Sequence, residues 1–127
     1  MTRMMNEERP IDRIKKLAQW YIDHHALSGM KAFETSAGLS PAYVKNLHAT
    51  EVGNPGVDAV AKIYKTFTGV SLHWLVLGEG EMFTIPEEEA IRNAEEAAKE
   101  YMISSHLKRM LNRNVTKEEL KALIDKI

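Results

Sequence analysis

Few of the polar residues in this sequence are spaced for catalysis or metal binding. There are five histidines, but His24 and His25 are adjacent and so point about 100° apart on a helix, and neither H-E-x-x-H nor H-x-x-x-H occurs. The acidic run Glu87 to Glu89 has Arg92 three or four positions away, which is typical of a solvated, paired helix face. No Ser/His/Asp order or phosphate-cradling glycine loop stands out. We therefore expect no metal site, no cofactor and no enzymatic activity.

The cysteine content and the net charge exclude several further classes of function. The 127 residues include no cysteine, which removes disulfides, thiolate metal sites and cysteine nucleophiles. A formal net charge of −1 argues against a uniformly basic nucleic-acid coat. Between Arg9 and Lys65, however, eight basic residues stand against five acidic ones, an excess of +3. This stretch therefore has a weak positive bias.

The length of the chain fits one domain plus an appendage. Its 44% hydrophobic and 28% charged residues are typical of an ordinary globular protein. The longest apolar run, Trp74 to Leu77, is far too short to span a membrane. The first residues lack the apolar stretch of a signal peptide, so a cytoplasmic location is expected.

Glycine and proline divide residues 10–83 into helix-sized pieces. An apolar stripe predicts a first helix from Pro10 to His25, and a second runs from Met30 to Ala37 before Gly38. Ser40–Pro41 and Asn54–Pro55 each read as an N-cap followed by proline at the first helical position. A short fifth element carries Trp74. No alternating strand pattern occurs, so the predicted fold is all-α. The residues expected to face its core are Phe33, Val44, Leu47, Val57, Val60, Ala61, Tyr64, Phe67, Trp74 and Leu75.

Residues 84–127 contain no glycine and a single proline, which sets them apart as a C-terminal helical segment. Capping-box patterns at Thr84–Glu87 and Thr116–Glu119 predict a long helix to about Asn112 and a short final helix. The expected inner face of the long helix comprises Ile91, Ala94, Ala98, Tyr101 and Met102, and the final helix has an apolar face of Leu120, Leu123, Ile124 and Ile127. A helix that short is stable only when its apolar face is buried, either against the end of the long helix or against a second chain, and we expect the second chain.

One pair of helices has a functional interpretation. Gly38-Leu39-Ser40 joins the second and third helices, and such a joint favours glycine because its φ can be positive. Two short helices with this joint are the pattern of a helix-turn-helix, whose second helix enters the major groove of DNA.

This segment, followed by a fourth helix and then Gly69-Val70-Ser71-Leu72-His73-Trp74-Leu75-Val76-Leu77-Gly78-Glu79-Gly80, resembles the phage-repressor (Cro/CI-type, lambda-repressor-like) helix-turn-helix family. The resemblance covers residues 10–83. It implies a five-helix DNA-binding domain that acts as a homodimer on palindromic operator DNA, with residues 84–127 as the dimerisation segment.

The resemblance also implies a set of DNA contacts. Base-facing residues would come from the start of the third helix, backbone contacts from its flank, and phosphate contacts from the start of the second helix and the loop before the fourth. The implied DNA-binding residues are Ser28, Lys31, Ser40, Pro41, Ala42, Tyr43, Lys45, Asn46 and Asn54.

The chain departs from the family at the start of the second and third helices. Many relatives carry Gln or Arg there for base contacts, whereas this chain has Met30, Pro41 and Ala42. Readout would then depend on Asn46, Lys45, a contact of Ala42 with a thymine methyl group, and DNA shape. This departure favours one alternative, a protein-interaction module or antitoxin-like partner that keeps the fold with weak DNA readout.

Overall fold

The protein is described by a computed structural model over residues 8–50, 53–112 and 117–126. Apart from one isolated β-bridge, all regular secondary structure in these ranges is helical, which confirms the predicted all-α class. The helices of the described ranges are α1 (Pro10–Asp23), α2 (Met30–Ala37), α3 (Tyr43–His48), α4 (Val57–Thr66), α5 (Leu72–Leu77), α6 (Glu87–Asn112) and α7 (Lys117–Asp125).

The core forms where α1 meets α2, α3 and α5. Phe33 of α2 stacks in parallel on Phe67, just after α4, with ring centroids 4.9 Å apart, and Tyr21 of α1 lies 5.0 Å from Phe67. Offset aromatic pairs of this kind add to the hydrophobic stabilisation of burial. The prediction that Phe33, Val44, Phe67 and Leu75 face inward is confirmed, whereas Leu47 and Trp74 are only partly buried against this core.

The predicted inner face of α4 is wrong at Val57 and Tyr64, whereas Phe67 is buried and Val60 packs against the core. Val57 is 85% exposed and Tyr64 is 46% exposed, while Ala59 and Ile63 are the residues of this helix that are buried. Apolar residues cover more than half of the circumference of α4, so their spacing alone does not select which part is buried. The buried part carries Ala59 and Ile63 and continues to Phe67, whose ring stacks on that of Phe33.

Helices α3 and α4 each begin two residues later than expected. The residue preceding α3 is Ala42, not Ser40, and the residue preceding α4 is Gly56, not Asn54. Neither start is capped by the side chain of that preceding residue.

The first half of α6 packs against α2 through small side chains. Ala90, Ala94 and Ala97 are buried, so the contact face is shifted from the predicted one and keeps only Ala94 as a fully buried member. Tyr101 and Met102 are 40% and 69% exposed. Short side chains allow the two helix backbones to approach closely, and this half of α6 thereby joins the core of the preceding helices.

Thr84 does not cap α6 as the capping-box pattern predicted. Its backbone N–H donates instead to the Gly69 carbonyl at 2.8 Å, beside the bridge between Val70 and Phe83. Gly69 has a φ of +105°, and a Cβ there would overlap Ile85, so only glycine fits this crossing. The second predicted capping box, at Thr116, and the side chains of Leu120, Leu123 and Ile127 lie outside the described residues.

Candidate nucleic-acid interface

The joint between α2 and α3 has the backbone geometry expected from the sequence. Gly38 closes α2 in the left-handed region, with φ 75° and ψ 26°. Its N–H donates to the Thr35 carbonyl at 3.2 Å, and the Leu39 N–H donates to the Glu34 carbonyl at 2.8 Å. These bonds satisfy carbonyl groups that the end of a helix leaves open. The chain can therefore reverse direction directly after α2.

A buried carboxylate fixes the start of α3. Glu34 is only 4% exposed, and its two oxygens accept from the Ala42 N–H at 3.3 Å and the Val44 N–H at 2.9 Å. Ala42, between the turn and the helix, has φ 60° and ψ 20°, a left-handed conformation that is unusual for a residue with a Cβ. Glu34 thus supplies the cap that the sequence pattern assigned to Ser40, and this explains the later start of α3.

Glu34 was not identified as a candidate from the sequence. A signal was present, because Met30, Phe33, Glu34 and Ala37 follow the i, i+3, i+4, i+7 spacing of one helix face. A charged residue on such a face must find hydrogen-bond partners when it is buried. The first turn of the next helix provides them.

All nine predicted DNA-binding residues fall within the described ranges, at three places along the chain. Ser28 and Lys31 flank the start of α2, six residues lie between Ser40 and Asn46 in the turn and α3, and Asn54 precedes α4. Tyr43 is partly buried and packs against the core, whereas the others are exposed. The side chains of six of these residues make no hydrogen bond or ion pair with another described residue: Ser28, Lys31, Ser40, Lys45, Asn46 and Asn54.

Two of the basic residues in the positively biased stretch hold the fold together instead of facing solvent. Arg9 donates to the carbonyl of His48, the last residue of α3, at 3.0 Å. Arg13, which is 4% exposed, donates from Nε to the Leu75 carbonyl at 2.9 Å and from a terminal nitrogen to the Val76 carbonyl at 2.8 Å. These two guanidinium groups are therefore not available to a ligand, although the buried carboxylate of Glu34 is not available either.

Glu8 balances part of this buried positive charge. Its carboxylate hydrogen-bonds Lys16 and lies 3.3 Å from a terminal nitrogen of Arg13. The hydrogen bond from Lys16, with a smaller contribution from Arg13, lowers the pKa of Glu8 below its usual range although partial burial opposes this. The exposed lysines on the elements of the candidate interface are Lys31 and Lys45.

A different kind of surface lies between α4 and α5, and Asn54 is part of its lining. We call it the α4–α5 groove: an almost entirely apolar depression of about 390 Å³ between α4, α5 and the start of α1, with Val57, Val60, Tyr64, Leu72 and Val76 in its lining. Four of these side chains are among the exposed large hydrophobic residues of the described chain, namely Val57, Tyr64, Leu72 and Val76.

No group of three or more His, Cys, Asp or Glu side chains in the described ranges is arranged to hold a metal ion. None of the described helices is both long and apolar enough to cross a membrane. In comparisons with known proteins, no family model, no curated protein and no solved structure matches the chain.

Proposed function

We propose that the chain is a sequence-specific DNA-binding transcriptional regulator of the phage-repressor type, and that it binds operator DNA as a homodimer through α3. The observation that supports this proposal best is the division of the α2–turn–α3 unit into two faces. Phe33 and Val44 hold the unit to the core, while Ser40, Lys45 and Asn46 are exposed with their polar groups unengaged by other described residues. Unengaged polar groups on a rigid turn and helix are what base and phosphate contacts require.

Each exposed residue has a role that fits its chemistry. Asn46 can pair with adenine through two hydrogen bonds, and the Ala42 methyl group can contact that of thymine. Lys45 and Lys31 supply charge for phosphates, whereas Ser28 and Asn54 supply neutral hydrogen-bonding groups. Ser40 and Pro41 would lie at the tip of the turn, closest to the bases.

The proposal assigns dimerisation to the C-terminal part of the chain. The exposed large hydrophobic residues at the end of α6 and on α7 include Leu111 and Ile124, which are 57% and 53% exposed. A two-fold dimer formed through them would suit a palindromic operator, whose half-sites lie one turn of the duplex, roughly 34 Å, apart.

Selection of bound fragments from a random duplex library tests the proposal directly. Asn46→Ala should flatten base preference at one position of the selected site, whereas Lys45→Ala should weaken binding by a similar factor for all sequences. Lys99→Ala, which removes an exposed charge from α6, is the matched control and should change neither property. Recovery of no enriched sequence would contradict the proposal.

Assembly is tested with full-length variants. The double variant Leu111→Ser, Ile124→Ser should be monomeric by light scattering and should bind DNA more weakly, since it loses the coupling of two half-sites. Val57→Ser removes an even more exposed apolar residue from the α4–α5 groove and should leave the dimer intact. A dimer lost in Val57→Ser and kept in the double variant would assign assembly to the groove instead.

The α4–α5 groove favours a second candidate, an interaction module that keeps the helix-turn-helix fold and binds another protein. An apolar concave surface of this kind is typical of a peptide or helix docking site. Under this alternative, the variant Val57→Ser should abolish partner capture, and salt-dependent binding to duplex DNA should be absent.

A further inference from the structure

The cap on α3 is supplied from an unusual direction. An exposed helix start is normally capped by the hydroxyl or carboxylate of the residue just before it. Here the cap comes from Glu34, on the preceding helix, eight residues before Ala42 and ten before Val44. The two helices are thereby joined through one carboxylate beneath the turn.

This arrangement determines what the turn presents to solvent. Because Glu34 holds the Ala42 and Val44 N–H groups, the Ser40 hydroxyl is not needed as a cap, and among the described residues it has no hydrogen-bond partner. Ala42 is held in its left-handed conformation by the same bonds, so residues 40–42 protrude as a turn and do not form the first turn of α3.

We propose that Glu34 is a positioning residue for DNA readout: it fixes the Ser40–Ala42 turn and the start of α3, and so determines sequence selectivity without touching DNA. This inference rests on the proposed DNA-binding function. Its chemistry is specific, because a carboxylate offers two acceptor oxygens to two N–H groups, whereas a glutamine side chain offers one oxygen and turns a donor towards the other N–H.

A positioning role and a simple electrostatic role of Glu34 predict opposite changes in DNA affinity when its charge is removed. An acidic residue that merely repels phosphate would, when neutralised, tighten binding to every duplex. Loss of a positioning residue instead lowers the ratio of selected-site to scrambled-site affinity and leaves the salt dependence unchanged, because no phosphate contact is lost.

The experiment compares Glu34→Gln, Glu34→Ala and the control Asp58→Asn in the full chain, with a selected and a scrambled duplex at one salt concentration. Asp58 is exposed and lines the same shallow cleft as Ser40 and Tyr43, so its variant removes an equal charge nearby without removing a cap. Amide hydrogen exchange at Ala42 and Val44, measured without DNA, reports the cap itself. Circular dichroism shows which variants are folded.

We expect Glu34→Ala to lower the affinity ratio at least about tenfold, which corresponds to about 1.4 kcal/mol. Glu34→Gln should lie between this variant and the parent, with faster exchange at one of the two amides, and it carries the test if Glu34→Ala does not fold. Asp58→Asn should match the parent in both measurements.

An affinity ratio in Glu34→Gln and in folded Glu34→Ala within twofold of the parent would overturn the inference, as would an equal loss in Asp58→Asn. A parent protein that selects no sequence would overturn the proposed function and this inference with it. The amide exchange rates would still show whether Glu34 caps α3, so the two failures are distinguishable.

Discussion

Replacement of Arg13 by methionine should destabilise the protein more than any change at an exposed charge. The guanidinium is buried, and it donates to the Leu75 carbonyl at 2.9 Å and to the Val76 carbonyl at 2.8 Å near the end of α5. Methionine has a similar length but no donor. Both carbonyl groups would then be left without their buried partner, and Glu8 would lose one of its two cations.

The size of the effect follows from these contacts. Each hydrogen bond from a charged donor contributes about 1.5–3 kcal/mol, so the two that Arg13 donates to carbonyl groups contribute about 3 kcal/mol or more. The pair with Glu8 adds little, because the Glu8 side chain is 32% exposed. We expect a loss of about 3–5 kcal/mol in the free energy of unfolding. At about 4 °C or more per kcal/mol for a domain of this size, the Tm should fall by at least about 10 °C.

Urea and thermal denaturation followed by far-UV circular dichroism provide the assay. Lys16→Met is the matched control, because Lys16 pairs with the same Glu8 while its side chain is 61% exposed; it should cost less than about 1 kcal/mol. Arg13→Lys keeps the charge but not the planar fork that reaches two carbonyl groups, so its stability should lie between those of the parent and Arg13→Met. A stability of Arg13→Met within about 1 kcal/mol of the parent would show that the two carbonyl groups do not depend on Arg13.

Two further predictions concern the joint and the core. Substitutions of Gly38 should lower the Tm most for Val, less for Ala and least for Asn. A Cβ at φ +75° costs about 1–2 kcal/mol although no atom lies within 4 Å of it, and asparagine tolerates this conformation best. Equal melting of all three variants would contradict the placement of the joint. Tyr21→Phe should leave the stability in urea denaturation unchanged or raise it by about 1 kcal/mol, because the buried Tyr21 hydroxyl has no hydrogen-bond partner in the described structure. The same burial raises the pKa of this phenol above its usual range. A clear loss of stability would indicate a partner for the hydroxyl.

The sequence predicted part of the fold from local signals alone. Pro10 and Gly38 mark the start of α1 and the end of α2 where the structure has them, and the spacing of Phe33 and Val44 places both in the core. Proline and glycine act mainly through local backbone geometry. Local signals were not sufficient at Pro41 and Pro55, because α3 and α4 each begin two residues later.

The buried charged residues escaped prediction because their roles depend on partners far along the chain. Arg9 and Arg13 were counted as surface charge, yet each donates to the backbone carbonyl group of a residue that is distant in the sequence, His48 for Arg9 and Leu75 for Arg13. Glu34 was similarly unassigned, and the start of α3 was misplaced with it. Which acceptor or donor a buried charge meets is set by the tertiary arrangement of the helices, which single-sequence spacing does not encode.

The most direct test of the account is the binding of the purified full-length protein to its selected duplex across a series of salt concentrations, beside Lys45→Ala and Lys99→Ala. The account predicts that the affinity of the parent falls steeply and linearly in log–log form as salt rises, that the slope of Lys45→Ala is smaller by about one, and that the slope of Lys99→Ala equals that of the parent. Absence of duplex binding at low salt, or a slope that is the same for all three proteins, would contradict it.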